Sequence, residues 1–491
     1  MDSITKLRGK LAEAEDILQY VSKELEGYST KDAEEHLNFA ELKLRGEQYS
    51  FYEHPLTGKP FRDDYLALMI YLISLGGRKE EGWTVLYRIA AGCDYQGELQ
   101  NLTTDAMTFT EERLSDLIRE IYSAELANIF AIDSLMISHH MGADDAQLKF
   151  LSNFYDLLKL DKNFLSEAIQ FVKVFDATFW DNLAEKSRPW KYLTAKDIAT
   201  YIGGYPAASI EDAAKLEYKR IIVSGVTYTG QDVLNLDKWK TDEILFAGCR
   251  FENCGGIFSG NKVVKFAECA FDGNTVRYAD SRAYRYSISY KWTDKKYSAY
   301  RGFLHLNHGE FVHCSFKNFN DSVPMMYLKA GAVQICIFEN CKQSVGGSML
   351  LNVNNAKINK TKFFSCHSNT YTGGSGGGGT LNYLGNTCMI YSSNSCFTEN
   401  EFSNCSNTME IHRLNYGSCF FLLLDKGSSC VNCKFENINI SGTLWDRHRA
   451  STYLIGLLDS TEENNEGDIS TSNVSSIPKE LFIVGDKQYD P

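Results

Sequence analysis

The chain is short of proline, short of basic charge and, over its first half, nearly without cysteine. Seven prolines occur in 491 residues, and between Pro206 and Pro478 only Pro324 interrupts the chain. A region so free of proline can stack strands without losing backbone donors. Lysine and arginine number 50 against 63 acidic residues, a net charge of −13. That balance argues against wrapping nucleic acid, which requires a basic excess. Long apolar runs are also missing. The longest, Tyr65 to Leu75, falls well short of the roughly 20 residues that a membrane-spanning helix needs. The opening Met1-Asp-Ser-Ile-Thr-Lys-Leu-Arg-Gly-Lys10 is charged and has no secretory apolar core. These absences describe a soluble, cytoplasmic chain with no membrane span.

Cys93 alone precedes residue 240, and every other cysteine lies between Cys249 and Cys433. Those cysteines recur at equivalent repeat positions, so they read as reduced, buried packing residues rather than a disulfide framework. Cys430-Val-Asn-Cys433 is a lone CxxC, with no second pair to complete a tetrahedral zinc site.

What is present in the first half is helical periodicity. Leu7, Leu11, Ala14, Leu18, Val21 and Leu25 form a heptad seam. Ser29 or Thr30 can cap a second helix through Ala33, Leu37, Ala40 and Leu44. A helical hairpin over residues 1–50 follows, able either to pack on this chain's own helices or to drive homo-oligomerisation. Further helices are expected at Tyr65 to Leu75, Glu80 to Ala91, Glu111 to Met141, Ala146 to Leu160 and Phe164 to Phe175, where apolar residues recur three and four apart.

The run from Leu126 to Leu151 is an apolar helix, a polar turn and a second helix. With Glu80-Glu-Gly-Trp-Thr-Val-Leu-Tyr-Arg-Ile-Ala90 as a candidate first half, it resembles the TerB-like (tellurite-resistance-type) helical domain. The resemblance covers residues 60–180 and implies a role in bacterial stress or anti-phage defence. The family carries Asp-Gly at the turn and a later Glu, linked to divalent metal. Here the turn reads Ser138-His139-His140-Met141-Gly142-Ala143-Asp144-Asp145, with Gln147 near the later acid's place. His139, His140, Asp144 and Asp145 could ligate a metal. Adjacent helical histidines point about 100° apart, so a solvated turn is the simpler reading. No cofactor is expected beyond that one divalent-metal option.

The second half repeats. Cys249-Arg-Phe251-Glu-Asn253-Cys254 returns as Cys269-Ala-Phe271, Cys314-Ser-Phe316-Lys-Asn318, Cys336-Ile-Phe338-Glu-Asn340-Cys341, Phe363, Phe402-Ser-Asn404-Cys405 and Cys433-Lys-Phe435-Glu-Asn437. The Phe spacings are 20, 45, 22, 25, 39 and 33 residues, a basic unit of about 20–25 with insertions. Cys and Phe two apart face inward, Arg250, Ala270, Lys317 and Lys434 face outward, and the Asn ends the strand in a left-handed turn. The leucine frame of a leucine-rich repeat is absent. The reading is a right-handed parallel β-helix.

The fold class is thus α+β multidomain, a helical domain followed by a right-handed parallel β-helix solenoid. The expected divisions are a helical hairpin (1–50), the helical region (60–180), a capping helix region (194–220), the β-helix (221–445) and a C-terminal cap with an acidic tail (446–491).

Two insertions break the repeat. Arg277 to Arg301 is basic and aromatic within an acidic chain, and its Arg282, Tyr284, Arg285, Tyr286, Tyr290, Trp292, Lys295, Lys296 and Arg301 are the candidate binding surface. Such a composition suits sugar rings, bases or an acidic protein; plain amphipathic strands are the alternative. Thr372 to Thr380 is glycine-rich without the Lys-Ser/Thr of a P-loop. No paired carboxylates of the glycosidase kind stand out, and catalytic residues are not identified. The expected function is a non-enzymatic recognition or scaffold protein with protein partners. A carbohydrate-active β-helix enzyme and a homo-oligomeric structural protein are the alternatives.

Overall fold

The computed structural model describes residues 37–48, 51–76, 79–143, 145–175, 183–230, 233–273, 303–321, 325–343, 350–372, 386–411, 418–443, 451–467 and 471–473. The chain falls into two compact units, Met1–Pro206 and Ala207–Pro491. Among the described residues no helix is long and apolar enough to cross a membrane.

The first unit is helical. Its centre is built from Arg62–Ser74 and Ala127–Met141, which bury side chains around most of their circumference. Lys79–Gly92, Glu111–Ser123, Asp145–Leu157 and Lys162–Val174 accompany them. Two expectations change. The stretch Glu111 to Met141 is two helices, because Ala124 to Leu126 breaks it with Glu125 at φ 57°. The early helix is Phe39–Gln48, begun by Asn38, whose Oδ1 accepts from the Glu41 N–H at 3.3 Å. Leu37 therefore precedes the helix instead of lying within it, with Asn38 at its cap. Residues 1–36, with the heptad seam and Ser29, Thr30 and Ala33, lie outside the described residues. Thr194 and Asp197 form a capping box, and Gly203 ends the helix Ala195–Ile202 at φ 78°.

The second unit is a parallel-strand solenoid. Among the described residues its strands form parallel sheets of 17, 8 and 5 members. One rung shows the plan. Met326–Leu328 and Gly331–Gln334 lie in the long sheet, Ile337–Glu339 in the second and Lys342–Gln343 in the third. Both corners are single left-handed residues, Ile335 at φ 53° and Asn340 at φ 53°. Each corner is followed by a buried thiol, Cys336 and Cys341.

Registration fixes the interior. Phe251, Phe271, Phe316, Phe338, Phe363, Phe402 and Phe435 stand in register across the second sheet. Their rings form one column with centroids 4.8, 4.7, 4.4, 4.6, 4.7 and 4.9 Å apart. Each such contact adds about 0.5–1.5 kcal/mol beyond the area it buries. Alongside it, the corner cysteines do more than fill space. Cys249, Cys269, Cys314 and Cys336 donate from Sγ to carbonyls of the preceding rung, those of Val223, Phe246, Phe266 and Phe311, at 3.2, 3.2, 3.3 and 3.7 Å. Thr361 and Asn400 take the same place and donate to Val333 and Ile358 at 3.4 and 2.9 Å. The position therefore demands a small donor, because the corner interrupts the ladder and leaves a buried carbonyl to be satisfied. Cys341, Cys366 and Cys405 repeat the arrangement at the other corner, at 3.4, 3.5 and 3.5 Å. All fourteen cysteines are free thiols. Burial pushes Cys254 up to about 11 and holds Cys269 well above its ordinary value, so these two thiols stay protonated.

The solenoid continues beyond residue 445, where the sequence suggested a cap. Ser451–Leu458 pairs with Ser418–Asp425, Thr461–Glu463 with Ser429–Val431, and Thr471–Asn473 with Ile455–Leu457. These rungs lack the Cys-x-Phe frame, and Asn465 replaces the thiol by donating to the Cys430 carbonyl at 3.0 Å.

Candidate functional site

The outward column of the second sheet runs Arg250, Ala270, Ser315, Ile337, Lys362, Glu401 and Lys434. Two small residues, Ala270 and Ser315, stand side by side between longer neighbours and leave a depression of about 350 Å³. Its walls are Arg250, Glu252, Asp272 and Lys317. Glu252 and Asp272 are in-register neighbours on adjacent rungs. Such strands are about 4.8 Å apart, so two carboxylates share one edge of the site. The sequence reading found no such pair, because these acids are 20 residues apart and only the register joins them.

Asp272 is held from the next rung. Asn318 Nδ2 donates to Asp272 Oδ1 at 2.8 Å, and Asn340 Nδ2 donates to Asn318 Oδ1 at 3.0 Å. Lys317 pairs with Glu339 at 2.8 Å, and that hydrogen bond raises its ammonium above the ordinary lysine value. The site thus offers charges of both signs and one hydroxyl, Ser315, on a rigid strand platform. No histidine is among its lining residues. It can hold a charged or polyhydroxylated group by ion pairs and hydrogen bonds.

The strand Ala270–Asp272 ends at Gly273, at φ 58°, and the described chain resumes at Phe303, ahead of the long-sheet strand Leu304–Val312. Although 45 residues apart in sequence, Ala270 and Ser315 are directly paired. The candidate residues Arg282, Tyr284, Arg285, Tyr286, Tyr290, Trp292, Lys295, Lys296 and Arg301 lie outside the described residues. So does most of the glycine-rich Thr372 to Thr380.

In the helical unit, His139 and His140 occupy the last turn of Ala127–Met141, with ring centroids 5.8 Å apart. Gly142 ends that helix at φ 67°. Asp144 lies outside the described residues, and Asp145 opens Asp145–Leu157. Among the described residues no group of three His, Cys, Asp or Glu side chains is placed to hold a metal. Gln147 is buried, and its Nε2 donates to the Leu72 carbonyl at 3.0 Å. That residue ties the turn to Arg62–Ser74.

A third polar cluster was missed. Asp133 is fully buried and accepts from His54 Nε2 at 3.1 Å, Tyr65 Oη at 2.6 Å and Tyr201 Oη at 2.8 Å. The Leu56 N–H donates to His54 Nδ1 at 3.2 Å, which leaves the Nε2 proton for Asp133. Burial first, then the Asp133 charge, holds both phenols well above their ordinary value. The cluster joins three helices and a loop and serves packing. Its signal was a single acid inside the apolar run Ile129-Phe-Ala-Ile-Asp-Ser-Leu-Met-Ile137.

No protein-family model matches this chain, and no match is found among curated proteins or among solved structures.

Proposed function

We propose that the protein is a non-enzymatic recognition scaffold whose binding face is the second sheet around Arg250, Asp272, Ser315 and Lys317, together with the aromatic-basic residues 277–301. The observation that carries this reading is that the two adjoin in sequence. The one strongly basic, aromatic stretch of an acidic chain joins the rungs that carry the notch, and it does so without disturbing their register. An acidic protein surface fits such a pairing of rings and cations with polar strand edges.

Finer features of the reading accompany it. The solenoid is a right-handed parallel β-helix, since parallel crossovers are right-handed in about 98 % of cases. The helical unit is TerB-like, and the system served is a bacterial stress or anti-phage one. The location is the cytoplasm, where unpaired thiols in such number persist reduced.

The test is co-purification from the native host with the full chain. Changing Tyr290, Trp292, Lys295 and Lys296 together to serine should remove a partner that the wild type retains, while Glu252→Gln with Asp272→Asn should leave catalysis untouched because none is expected. The adjacent Glu252 and Asp272 carboxylates favour a second reading, acid chemistry on a polysaccharide. Cleavage of an acidic polysaccharide by the wild type, abolished by Glu252→Gln with Asp272→Asn, would replace the scaffold reading with that one.

A further inference from the structure

The outward face of the second sheet is polar on most rungs, and its large apolar exceptions are adjacent. Ile335, Ile337 and Phe364 are 46 %, 44 % and 44 % exposed. Ile337 pairs with Lys362 and Glu339 with Phe364, so Ile337 and Phe364 are diagonal neighbours on successive rungs. Such neighbours are about 7–8 Å apart, within reach of long and aromatic side chains. Ile335 stands at the corner two residues before Ile337. It is a strained choice for that place, because φ 53° is a left-handed conformation that disfavours β-branched residues. The same corner on other rungs is held by Gly248, Glu268, His313, Lys360, Glu399 and Asn432, none of them β-branched. Folding gains little from a strained residue whose apolar side chain stays in water, which points to something that the side chain meets.

Charge around the patch selects its occupant. Two cross-rung ion pairs border it, Lys317 with Glu339 at 2.8 Å and Lys362 with Glu401 at 2.9 Å. Each pair neutralises itself, so the patch between them suits an uncharged apolar group. The notch lies immediately beside it, since Ser315 is in register with Ile337. With Lys317 already held by Glu339, the notch is lined by the Glu252 and Asp272 carboxylates against the single guanidinium of Arg250. One basic side chain, seated over the small Ala270 and Ser315, balances that lining.

We propose that notch and patch together dock an extended protein segment. It sets one lysine or arginine over Ala270 and Ser315, and one apolar side chain on Ile335, Ile337 and Phe364. From midway between the Ala270 and Ser315 rungs to midway between those of Ile337 and Phe364 is two strand spacings, about 10 Å. An extended chain covers that distance in about three residues at ~3.3 Å each. The segment therefore reads basic-x-x-apolar along the solenoid axis. This inference rests on the reading of the second sheet as the binding face, and it uses nothing from residues 277–301.

Fluorescence anisotropy of a labelled peptide, Gly-Lys-Gly-Gly-Phe-Gly, titrated with the full-length protein tests it. The wild type should bind saturably, and peptides with Glu for the Lys or Ser for the Phe should bind about tenfold more weakly or worse. Glu252→Gln with Asp272→Asn, and separately Ile337→Ser with Phe364→Ser, should cause the same loss with an unchanged urea midpoint. Ile335→Asn should weaken binding without lowering that midpoint, because asparagine accepts the left-handed corner. No saturable binding up to millimolar concentration, variants that bind like the wild type, or tighter binding of the Glu peptide would each overturn the proposal. So would a midpoint lowered by Ile335→Asn, which would give the isoleucine a purpose in the fold. A native partner retained by the Ile337→Ser, Phe364→Ser variant would overturn this docking site and leave the recognition reading standing.

Discussion

Phe363 and Phe364 are consecutive, chemically identical and on opposite faces of one strand, so they isolate what the interior column contributes. Phe363 is fully buried, with Phe338 and Phe402 stacked on it at 4.6 and 4.7 Å, whereas Phe364 is 44 % exposed. Removing the Phe363 ring by Phe363→Ala forfeits burial and opens a cavity, typically 3–5 kcal/mol. Two ring contacts broken at once place the loss at the upper end, about 5 kcal/mol. Phe364→Ala has no cavity to leave and should cost less than about 1 kcal/mol. In a solenoid each rung is held mainly by its neighbours, so the loss should appear locally as well as in the whole transition. Urea unfolding followed by far-ultraviolet circular dichroism measures the two costs, and hydrogen exchange over residues 356–372 locates them. Equal costs for the two alanine variants would refute the inward and outward assignment on which the rung is built.

Further outcomes follow from the corners and from the polar clusters. Cys336→Thr should be nearly neutral, because Thr361 already fills the equivalent place, while Cys336→Val leaves the Phe311 carbonyl unpaired and should cost about 1–3 kcal/mol in the same urea assay. Gly331→Ala should destabilise by at least ~3 kcal/mol, since Gly331 sits at φ 136° and an added Cβ would lie 1.8 Å from the Gly309 carbonyl oxygen. Asp133→Ala strands His54, Tyr65 and Tyr201 in the core and should lower the melting of the helical unit by the equivalent of about 3 kcal/mol or more. Burial alone would raise Glu243, but Lys265 at 2.9 Å and Arg220 at 2.6 Å outweigh it and hold the carboxyl below its ordinary 4.5. Its contribution is therefore present above pH 4.5 and lost as pH falls through the depressed folded value. The stability difference between wild type and Glu243→Gln, large near neutrality, should close in acid; a difference that widens there would contradict the sign.

The repeat could be read from sequence because two constraints coincide in it. Cys and Phe two apart must face the same way, and Asn is among the few residues that accept the left-handed corner, as Asn253, Asn318, Asn340, Asn404 and Asn437 do. Where chemistry replaces identity the reading failed. Thr361, Asn400 and Asn465 hold thiol positions as donors, and the rungs after Thr443 were lost because nothing there spells the frame. The candidate notch was hidden for a different reason. Glu252 and Asp272 meet only through register, and Ala270 and Ser315 matter by being small, which no motif records. In the helical unit, the periodicity of Glu111 to Met141 ran through a break that a single left-handed Glu125 imposes.

The most direct test of a solenoid lined by reduced, hydrogen-bonded thiols is a count of reactive cysteines. In native protein purified without reductant, 5,5′-dithiobis(2-nitrobenzoate) should react quickly with about one thiol, Cys396, the one cysteine that is not buried. After denaturation without reductant, all fourteen should react. Several fast thiols in the native protein, or fewer than the full number after unfolding, would contradict the account.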